Sequence, residues 1–307
     1  MVAEAHGRFR DHREGTVSRV YPALARVDAD LFGIAVVSVA GPEVRAGDAA
    51  VPFTIMSVSK PFVFALACQL HGADVMWERV GANATGLPFD SAAAVDQGAA
   101  GRTNPMVNPG AIATSSFAPG ADSSARTRWV VEGLSRFAGR ELEVDAEVFA
   151  SASAANGRNQ GLARLLATLG RLGCDPGDAV ATYTHQCCLA VSAADLAVMG
   201  ATLAAGGVNP RTGEQVVDAE SCHAALAVMA TAGLYDTSGD WLFQVGLPGK
   251  SGIGGGIVTV APGKGALATF APPLDAAGNS VKGQLVARFL SRELGLDIFS
   301  GAVGGDG

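Results

Sequence analysis

The sequence predicts an α+β fold in which an antiparallel sheet is flanked by helices and interrupted by an inserted, mainly helical lobe. β-rich apolar segments lie near both ends of the chain, at 32–53 and 256–270, whereas the middle has helical periodicity. One antiparallel sheet shared by both ends, with terminal helices covering it, would bury these strands. We therefore expect one domain with a sheet lobe (15–56 plus 245–295), a helical lobe (57–244) and a ligand cleft between them.

The N-terminal part predicts a helix and then a hairpin. Residues 16–28 have apolar side chains on one helical stripe. The run 32–39 is almost wholly apolar and β-rich, which is typical of a buried strand. A turn at Gly41-Pro42 then leads to a second strand that runs through Val44 to Phe53.

Helices are expected through the centre of the chain. A helix should begin at Ser57 and run to about Gln69, with Pro61 tolerated in a first turn whose amides lack intrahelical partners. Residues 72–120 are rich in Gly, Ala, Pro and Asn and indicate loops with short helices. Further helical periodicity occurs at 124–139, 157–172, 192–206 and 217–232.

The C-terminal part returns to strands. Segments 256–261 and 265–270 predict two strands around the turn Pro262-Gly263-Lys264. A final helix is predicted at about 280–294, and the Gly-rich tail 301–307 is expected to be frayed.

Composition excludes several classes of protein. The chain has 307 residues, 49% of them hydrophobic and 17% charged, which is enough for a sizeable core. With a net charge of −7 and no basic run, neither nucleic acid nor a membrane surface is an expected partner. Residues 1–14 lack the apolar run of a signal peptide, and no segment reaches the roughly 18 apolar residues of a membrane span. Five cysteines without a framework spacing indicate free thiols and a cytoplasmic location.

Ser57-Val58-Ser59-Lys60 is the first candidate for catalytic chemistry. A serine and a lysine three residues apart share a helix face, so Lys60 can serve as the base that Ser57 needs as a nucleophile. The lysine must then be neutral, which burial would favour. The alternative is a solvated lysine after a helix cap, although the apolar residues on both sides make a solvated helix start unusual.

Lys250-Ser251-Gly252, followed by Ile253 and three glycines, is the second candidate. These glycines allow close approach of the backbone to a ligand, and an amide here could form an oxyanion hole with that of Ser57. A flexible Gly-rich loop is the alternative, and the order of residues does not fit a phosphate-binding loop. The two motifs, about 190 residues apart, together indicate a serine acyl hydrolase of the penicillin-recognising kind.

Polar residues elsewhere are weaker candidates. Asn108 could bind a polar substrate group, and Asn159 could be a ligand or a helix cap. The phenol of Tyr183 or Tyr235 could relay a proton, although residue type alone favours a packing role. His185 has no partners with zinc-site spacing, so no metal is expected.

Over roughly residues 15–290 the chain resembles the serine-dependent glutaminase family. The resemblance rests on collinear stretches: DADLFGIAVVSVAG (28–41), FTIMSVSKPF (53–62), ERVGANATGLPFDS (78–91), NPMVNPGAIA (104–113), RNQGLA (158–163), YTHQCC (183–188), GLYDTSGDW (233–241) and VGLPGKSGIGGGI (245–257).

This resemblance implies a β-lactamase-like fold and hydrolysis of the side-chain amide of L-glutamine to L-glutamate and ammonia. It implies no cofactor and assembly as a homodimer or homotetramer. Ser57 would be the nucleophile and Lys60 the base, with Tyr235 as a further catalytic residue. The implied substrate pocket comprises Asn108, Asn159, Tyr183, Tyr235 and Ile253, with Tyr21, Lys250 and Ser251 as additional candidates.

Two departures from the family pattern fall on recognition of the amino-acid end of glutamine. Ala152 stands where the family has a glutamate that faces the substrate's α-ammonium group, and Val20 stands where it has a tyrosine. Tyr21 would need a shift in register to replace that tyrosine. The loss of a carboxylate opposite a buried ammonium would cost several kcal/mol, on the order of 3–5. One expectation is that a nearby acid, Glu143, Asp145 or Glu147, supplies the missing carboxylate instead.

These departures leave alternatives open at the level of sequence. The chain could be a related serine amidase or esterase that acts on another amide, including one without a free α-amine. It could also be a non-catalytic small-molecule binder, which the joint presence of Ser57, Lys60, Tyr235 and Lys250 disfavours.

Overall fold

The sheet of this protein is built from both ends of the chain. The structure, a computed structural model, describes residues 1–300; the tail 301–307, for which the sequence predicts fraying, lies outside the described residues. The strands are β1 (Gly33–Ser38), β2 (Glu43–Gly47), β3 (Phe53–Thr54), β4 (Ala190–Val191), β5 (Gly249–Ser251), β6 (Gly256–Ala261) and β7 (Gly265–Phe270). Five of them form one sheet in the order β2-β1-β7-β6-β5, with every pair antiparallel.

The pairing of β1 with β7 joins the two ends of the chain. It runs from Gly33 opposite Phe270 to Ser38 opposite Gly265. The predicted antiparallel sheet with helices is therefore confirmed, as are the predicted strands 256–261 and 265–270.

The helices lie mainly between β3 and β5 in the sequence. They are α1 (Val2–Phe9), α2 (Lys60–His71), α3 (Ala73–Val80), α4 (Ala92–Gln97), α5 (Asn108–Ser116), α6 (Ser123–Ala138), α7 (Ala146–Ala154), α8 (Gly157–Thr168), α9 (Pro176–Cys187), α10 (Ala193–Ala204), α11 (Ala219–Ala232), α12 (Ser238–Val245) and α13 (Val281–Glu293). None of the helices within residues 1–300 is both long and apolar enough to cross a membrane.

The sheet is covered on both faces. On one face α10 packs against β1, β6 and β7, and on the other α13 packs against β6 and β7. Side chains that alternate along a strand point to opposite faces. Accordingly, Val258 and Val260 of β6 belong to the core shared with the helices, whereas Ile257 belongs to the core beneath α13. This two-sided burial explains why the β6 sequence is apolar except at Thr259.

The helix predicted at 16–28 is wrong. This segment is irregular except for a 3₁₀ turn at Leu24–Arg26, and a helix the sequence did not predict, α1, precedes it. Pro22 disfavours a helix interior, and Thr16 instead pairs with Leu274 in an isolated bridge. The apolar spacing in this segment reflects separate contacts and not one helical face.

Two other predictions, for the segments just before and at the Ser57–Lys60 motif, need correction. The predicted second strand, 44–53, ends at Gly47, whose φ of +60° suits a turn, and Phe53 pairs with β4 in a separate two-stranded sheet. The helix expected from Ser57 begins as a 3₁₀ turn at Met56–Ser59, and α2 follows from Lys60. The sequence also failed to predict α7, α9 and α12.

Candidate active site

A strained turn presents Ser57. Met56, directly before it, has a φ of +48°, a left-handed conformation that is unfavourable for a side chain of this kind. The turn is held because Ile55 N donates to Leu189 O (2.9 Å) and Val58 N donates to Ile55 O (3.1 Å). Strain that the surroundings stabilise in this way is a frequent feature of functional sites.

Lys60 lies one residue beyond this turn and is almost completely buried, with 1% exposure. Its amine donates to Asn108 Oδ1 (2.8 Å) and to the Met106 carbonyl (3.3 Å). The sequence predicts that the Lys60 amine contacts the Ser57 hydroxyl. Within residues 1–300, however, the hydrogen bonds of this amine go to the Asn108 and Met106 oxygens. Burial lowers the pKa of Lys60 to about 8, against smaller opposing effects of Cys187 and Asp90. A substantial neutral fraction is therefore present near neutral pH.

Tyr235 lies beside Ser57 and is also strained, with a φ of +59°. Its hydroxyl donates to the Ser251 carbonyl (3.3 Å). Burial raises the pKa of Tyr235 to about 12, although hydrogen bonds with Ser57 and Ser251 oppose the rise. The phenol therefore stays protonated and can donate a proton.

Lys250 supports Tyr235 from β5 and does not line the cavity. Its amine is completely buried, lies 4.2 Å from the centre of the Tyr235 ring and donates to the Ser251 carbonyl at 2.6 Å. Burial, and then repulsion from Lys60, holds the pKa of Lys250 well below its usual value. The Ser251 hydroxyl donates to Asn279 Oδ1, and Ser251 does not line the cavity.

The turn after β5 brings a backbone amide next to Ser57. A Cβ atom placed on Gly252 would lie 3.2 Å from Ser57 N and 3.1 Å from the Ile55 carbonyl, so this close approach requires glycine. Neither Ser57 N nor Ile253 N has a hydrogen-bond acceptor within residues 1–300. Two such amides can stabilise an oxyanion if both face the same point.

A chain of amide and phenol groups continues from Lys60. Asn108, the first residue of α5, accepts from Tyr183 Oη (3.0 Å) as well as from Lys60, which fixes its amide orientation. Its Nδ2 donates to Asn159 Oδ1 (3.1 Å), and Asn159 in turn donates to Asn156 Oδ1 (2.8 Å). Buried polar groups of this kind are stable only when each has its partner.

These groups surround one cavity of about 240 Å³. The predicted residues that line it are Ser57, Asn108, Asn159, Tyr183 and Ile253, together with Tyr21, Val20 and Ala152. Lys60, Tyr235, Lys250 and Ser251 lie in the layer behind it. In the part of the chain that the structure describes, no three His, Cys, Asp or Glu residues are grouped so as to hold a metal ion.

Sequence reasoning missed two charged residues of this cavity. Asp90 is the only acidic and Arg158 the only basic residue that lines it within residues 1–300. Both occur in stretches that carry the family resemblance, but no local pattern distinguishes them from surface charges. They line the cavity because the fold brings the loop before α4 next to the start of α8, and the local sequence does not show that these two segments meet.

Ala152 and Val20 both face the cavity, and nearby acids do not take their place. Ala152 is 3% exposed and contributes only a methyl group to the wall. Asp145 caps α7 by accepting from Val148 N, and Glu147 pairs with Arg26 at the surface. Neither of them, nor the exposed Glu143, lines the cavity in this structure, so compensation by any of these three acids stays a prediction.

Comparisons with known proteins agree with this geometry. The profile of the glutaminase family matches residues 15–299. Glutaminase 2 of Yersinia pestis is 62% identical over 299 residues, which cover 97% of this chain and 88% of that protein. The solved structure of a probable glutaminase superposes with a TM-score of 0.96 at 40% identity and covers 98% of this chain and 97% of its own. A probable glutaminase from Bacillus subtilis, in complex with 6-diazo-5-oxo-L-norleucine, gives a TM-score of 0.88 at 28% identity, with coverage of 97% and 95%.

Proposed function

The chain belongs to the glutaminase family, and we propose that Ser57, Lys60 and Tyr235 carry out its reaction. That reaction is hydrolysis of the side-chain amide of L-glutamine to L-glutamate and ammonia. The observation that supports these roles best is the position of Ser57. It lines the cavity together with Ile253, whose amide has no acceptor within residues 1–300, and the buried Lys60 follows it three residues later.

In the proposed first half of the reaction, Ser57 Oγ attacks the amide carbon and neutral Lys60 takes up the hydroxyl proton. The negative oxygen then accepts hydrogen bonds from the amides of Ser57 and Ile253. As the carbon–nitrogen bond breaks, the proton held by Lys60 reaches the leaving nitrogen through Tyr235, and ammonia departs.

In the second half, water attacks the ester on Ser57 and gives up a proton to Lys60. The carbon–Oγ bond breaks, the proton returns to Ser57 and glutamate is released. The lowered pKa of Lys60 supports its role as the proton acceptor, and the hydrogen bond between Tyr235 and Ser57 supports a role for the phenol in the proton relay.

We assign recognition of the substrate to Asn108, Asn159 and Tyr183, whose polar atoms are connected at the cavity wall. Tyr21 also faces the cavity and is available to contact the substrate. Ala152 and Val20 offer no polar group there, so recognition of the amino-acid end is weakened on this side of the cavity.

The test compares Ser57→Ala with Ser151→Ala. Ser151 lies on α7 outside the cavity lining, and its hydroxyl has no hydrogen-bond partner among residues 1–300, so its removal serves as a matched control. Release of ammonia and glutamate from saturating L-glutamine should fall more than about a thousandfold in Ser57→Ala and stay near wild type in the control. Activity retained in Ser57→Ala would contradict the assignment of the nucleophile.

We also propose a cytoplasmic homodimer or homotetramer. All five cysteines are free in the structure, which supports a reducing compartment. Sedimentation of the purified protein will test the assembly, and fractionation of cells that express it will test the location.

A further inference from the structure

The cavity has one carboxylate, and it comes from the loop before α4 and not from α7. Asp90 lines the cavity together with Ser57, Asn108 and Asn159, and its side chain is 27% exposed. Ala152 contributes only a methyl group to the same cavity wall. A substrate with a free α-ammonium group therefore has one anionic partner available among the lining residues that the structure describes.

Asp90 is held at the cavity by contacts on both sides. Arg158 Nε lies 2.6 Å from Asp90 Oδ2 and donates to the Asp90 backbone carbonyl at 2.9 Å. The preceding residue, Phe89, accepts from Asn108 N (2.7 Å), and its ring lies 4.9 Å from that of Tyr235. The loop that carries Asp90 is thus attached to the proposed catalytic residues.

The pair of charges is left partly open toward a ligand. Within residues 1–300, Asp90 Oδ1 has no hydrogen bond, and neither do the two terminal nitrogens of Arg158. The α-carbon end of an amino acid carries an ammonium and a carboxylate side by side. An adjacent carboxylate and guanidinium complement that arrangement, and hydrogen bonds between charged groups are stronger than neutral ones.

We propose that Asp90 binds the α-ammonium group of glutamine and that Arg158 positions Asp90 while facing the substrate's α-carboxylate. This inference rests on the proposed function, because it places the amide of the same substrate at Ser57. It assigns a specificity-determining role to a pair of residues on α8 and the loop before α4, and it explains how the site can recognise glutamine with alanine at position 152.

The test compares L-glutamine with 4-carbamoylbutanoate, which is glutamine without its α-amine. In Asp90→Asn we expect kcat/KM for L-glutamine to fall about tenfold to a hundredfold, the range expected for loss of a hydrogen bond to a charged group. For 4-carbamoylbutanoate kcat/KM should change less than about twofold, since that substrate has no ammonium to lose. Glu147→Gln is the matched control, because it removes a surface carboxylate near Ala152 that lies outside the cavity, and it should leave both values unchanged.

A second variant separates recognition from folding. Adding Ala152→Glu to Asp90→Asn should restore preference for L-glutamine by supplying a carboxylate from α7, whereas a merely structural defect would not be repaired. If kcat/KM of Asp90→Asn fell equally for both substrates, or did not fall for L-glutamine, the proposal would be overturned.

Failure of the proposed function would look different in the same assay. If Ser57→Ala hydrolyses both substrates as well as wild type does, the catalytic assignment fails. If activity depends on Ser57 but wild type does not prefer L-glutamine to 4-carbamoylbutanoate, only the role of Asp90 is overturned.

Discussion

At the scale of single residues, burial acts on Lys60 and Tyr235 in opposite directions. Removal from water disfavours the charged form of each, so the pKa of the lysine falls and that of the tyrosine rises. The same apolar surroundings therefore favour the neutral form of both side chains, which is the form of Lys60 that can accept a proton.

The pKa of Lys60 predicts the pH dependence of the enzyme. Only the neutral amine can accept a proton from Ser57, and its pKa is lowered to about 8. We expect kcat/KM for L-glutamine to rise about tenfold per pH unit well below 8 and to level off above it. Steady-state kinetics between pH 6 and 9 will measure this profile, because at higher pH glutamine loses the proton of its own α-ammonium group.

The control for that experiment is Lys264→Met, at an exposed lysine in the turn between β6 and β7. Its profile should coincide with that of wild type. A wild-type profile that is flat across pH 8, or that falls as pH rises, would contradict the role of Lys60 as a neutral base.

At the scale of elements, α10 lies close against the sheet, where it packs on β1, β6 and β7. A Cβ atom on Gly200 would lie 2.7 Å from both Ala266 Cβ and Val258 Cγ2, which are closer than ordinary contacts. Both neighbours are short side chains on central strands. The glycine therefore allows the helix to lie directly on β6 and β7.

We predict that Gly200→Ala destabilises the protein. Overpacking of a core costs about 1–3 kcal/mol, which outweighs the gain of about 1 kcal/mol in helix propensity when alanine replaces glycine. The free energy of unfolding should fall, as measured by urea denaturation with an unchanged m-value.

Gly161→Ala on α8 is the matched control. Gly161 is exposed and a Cβ atom there meets nothing within 4 Å, so only the propensity gain applies. Its free energy of unfolding should rise by about 0.5–1 kcal/mol. If the free energy of unfolding changed equally in the two variants, α10 would not be in close contact with the sheet at Gly200.

At the scale of the whole molecule, the sheet and the helices share one core. Val37 of β1 and Val258 of β6 belong to the same buried cluster as Leu134 and Phe137 of α6. A sheet lobe of 15–56 plus 245–295 and a helical lobe of 57–244 remain a proposal. Because the apolar contacts between them are continuous, we expect the two parts to unfold together.

Two tryptophans allow that expectation to be measured. Trp129 on α6 packs against the helical side of the core, and Trp241 on α12 packs against Gly249 of β5. Variants that retain one of them, with Trp77 and the other replaced by phenylalanine, should show the same denaturation midpoint by fluorescence. That midpoint should also match the loss of helical circular dichroism. Separate midpoints for the two probes would show that the lobes unfold independently.

The sequence by itself determined the class of fold and identified the candidate catalytic residues. Strands β6 and β7 were predictable because burial on both faces favours runs that are almost wholly apolar, and their turn carries Pro-Gly. Ser57 and Lys60 were predictable as candidates because their spacing along the chain already limits where the two side chains can lie. The loss of a carboxylate at position 152 was also predictable from the sequence, because Ala152 stands where the glutaminase family pattern has a glutamate.

Tertiary structure decided what depends on contacts between distant segments. Segment 16–28 has helical spacing, but its pairing with Leu274 and its contact with the cavity determine its path. The amine of Lys60 contacts Asn108, from a helix 48 residues away, and Asp90 meets Arg158, 68 residues away. Charge, hydrogen bonding and pKa at such positions depend on which groups the fold brings within a few ångströms, and local sequence does not encode those distances.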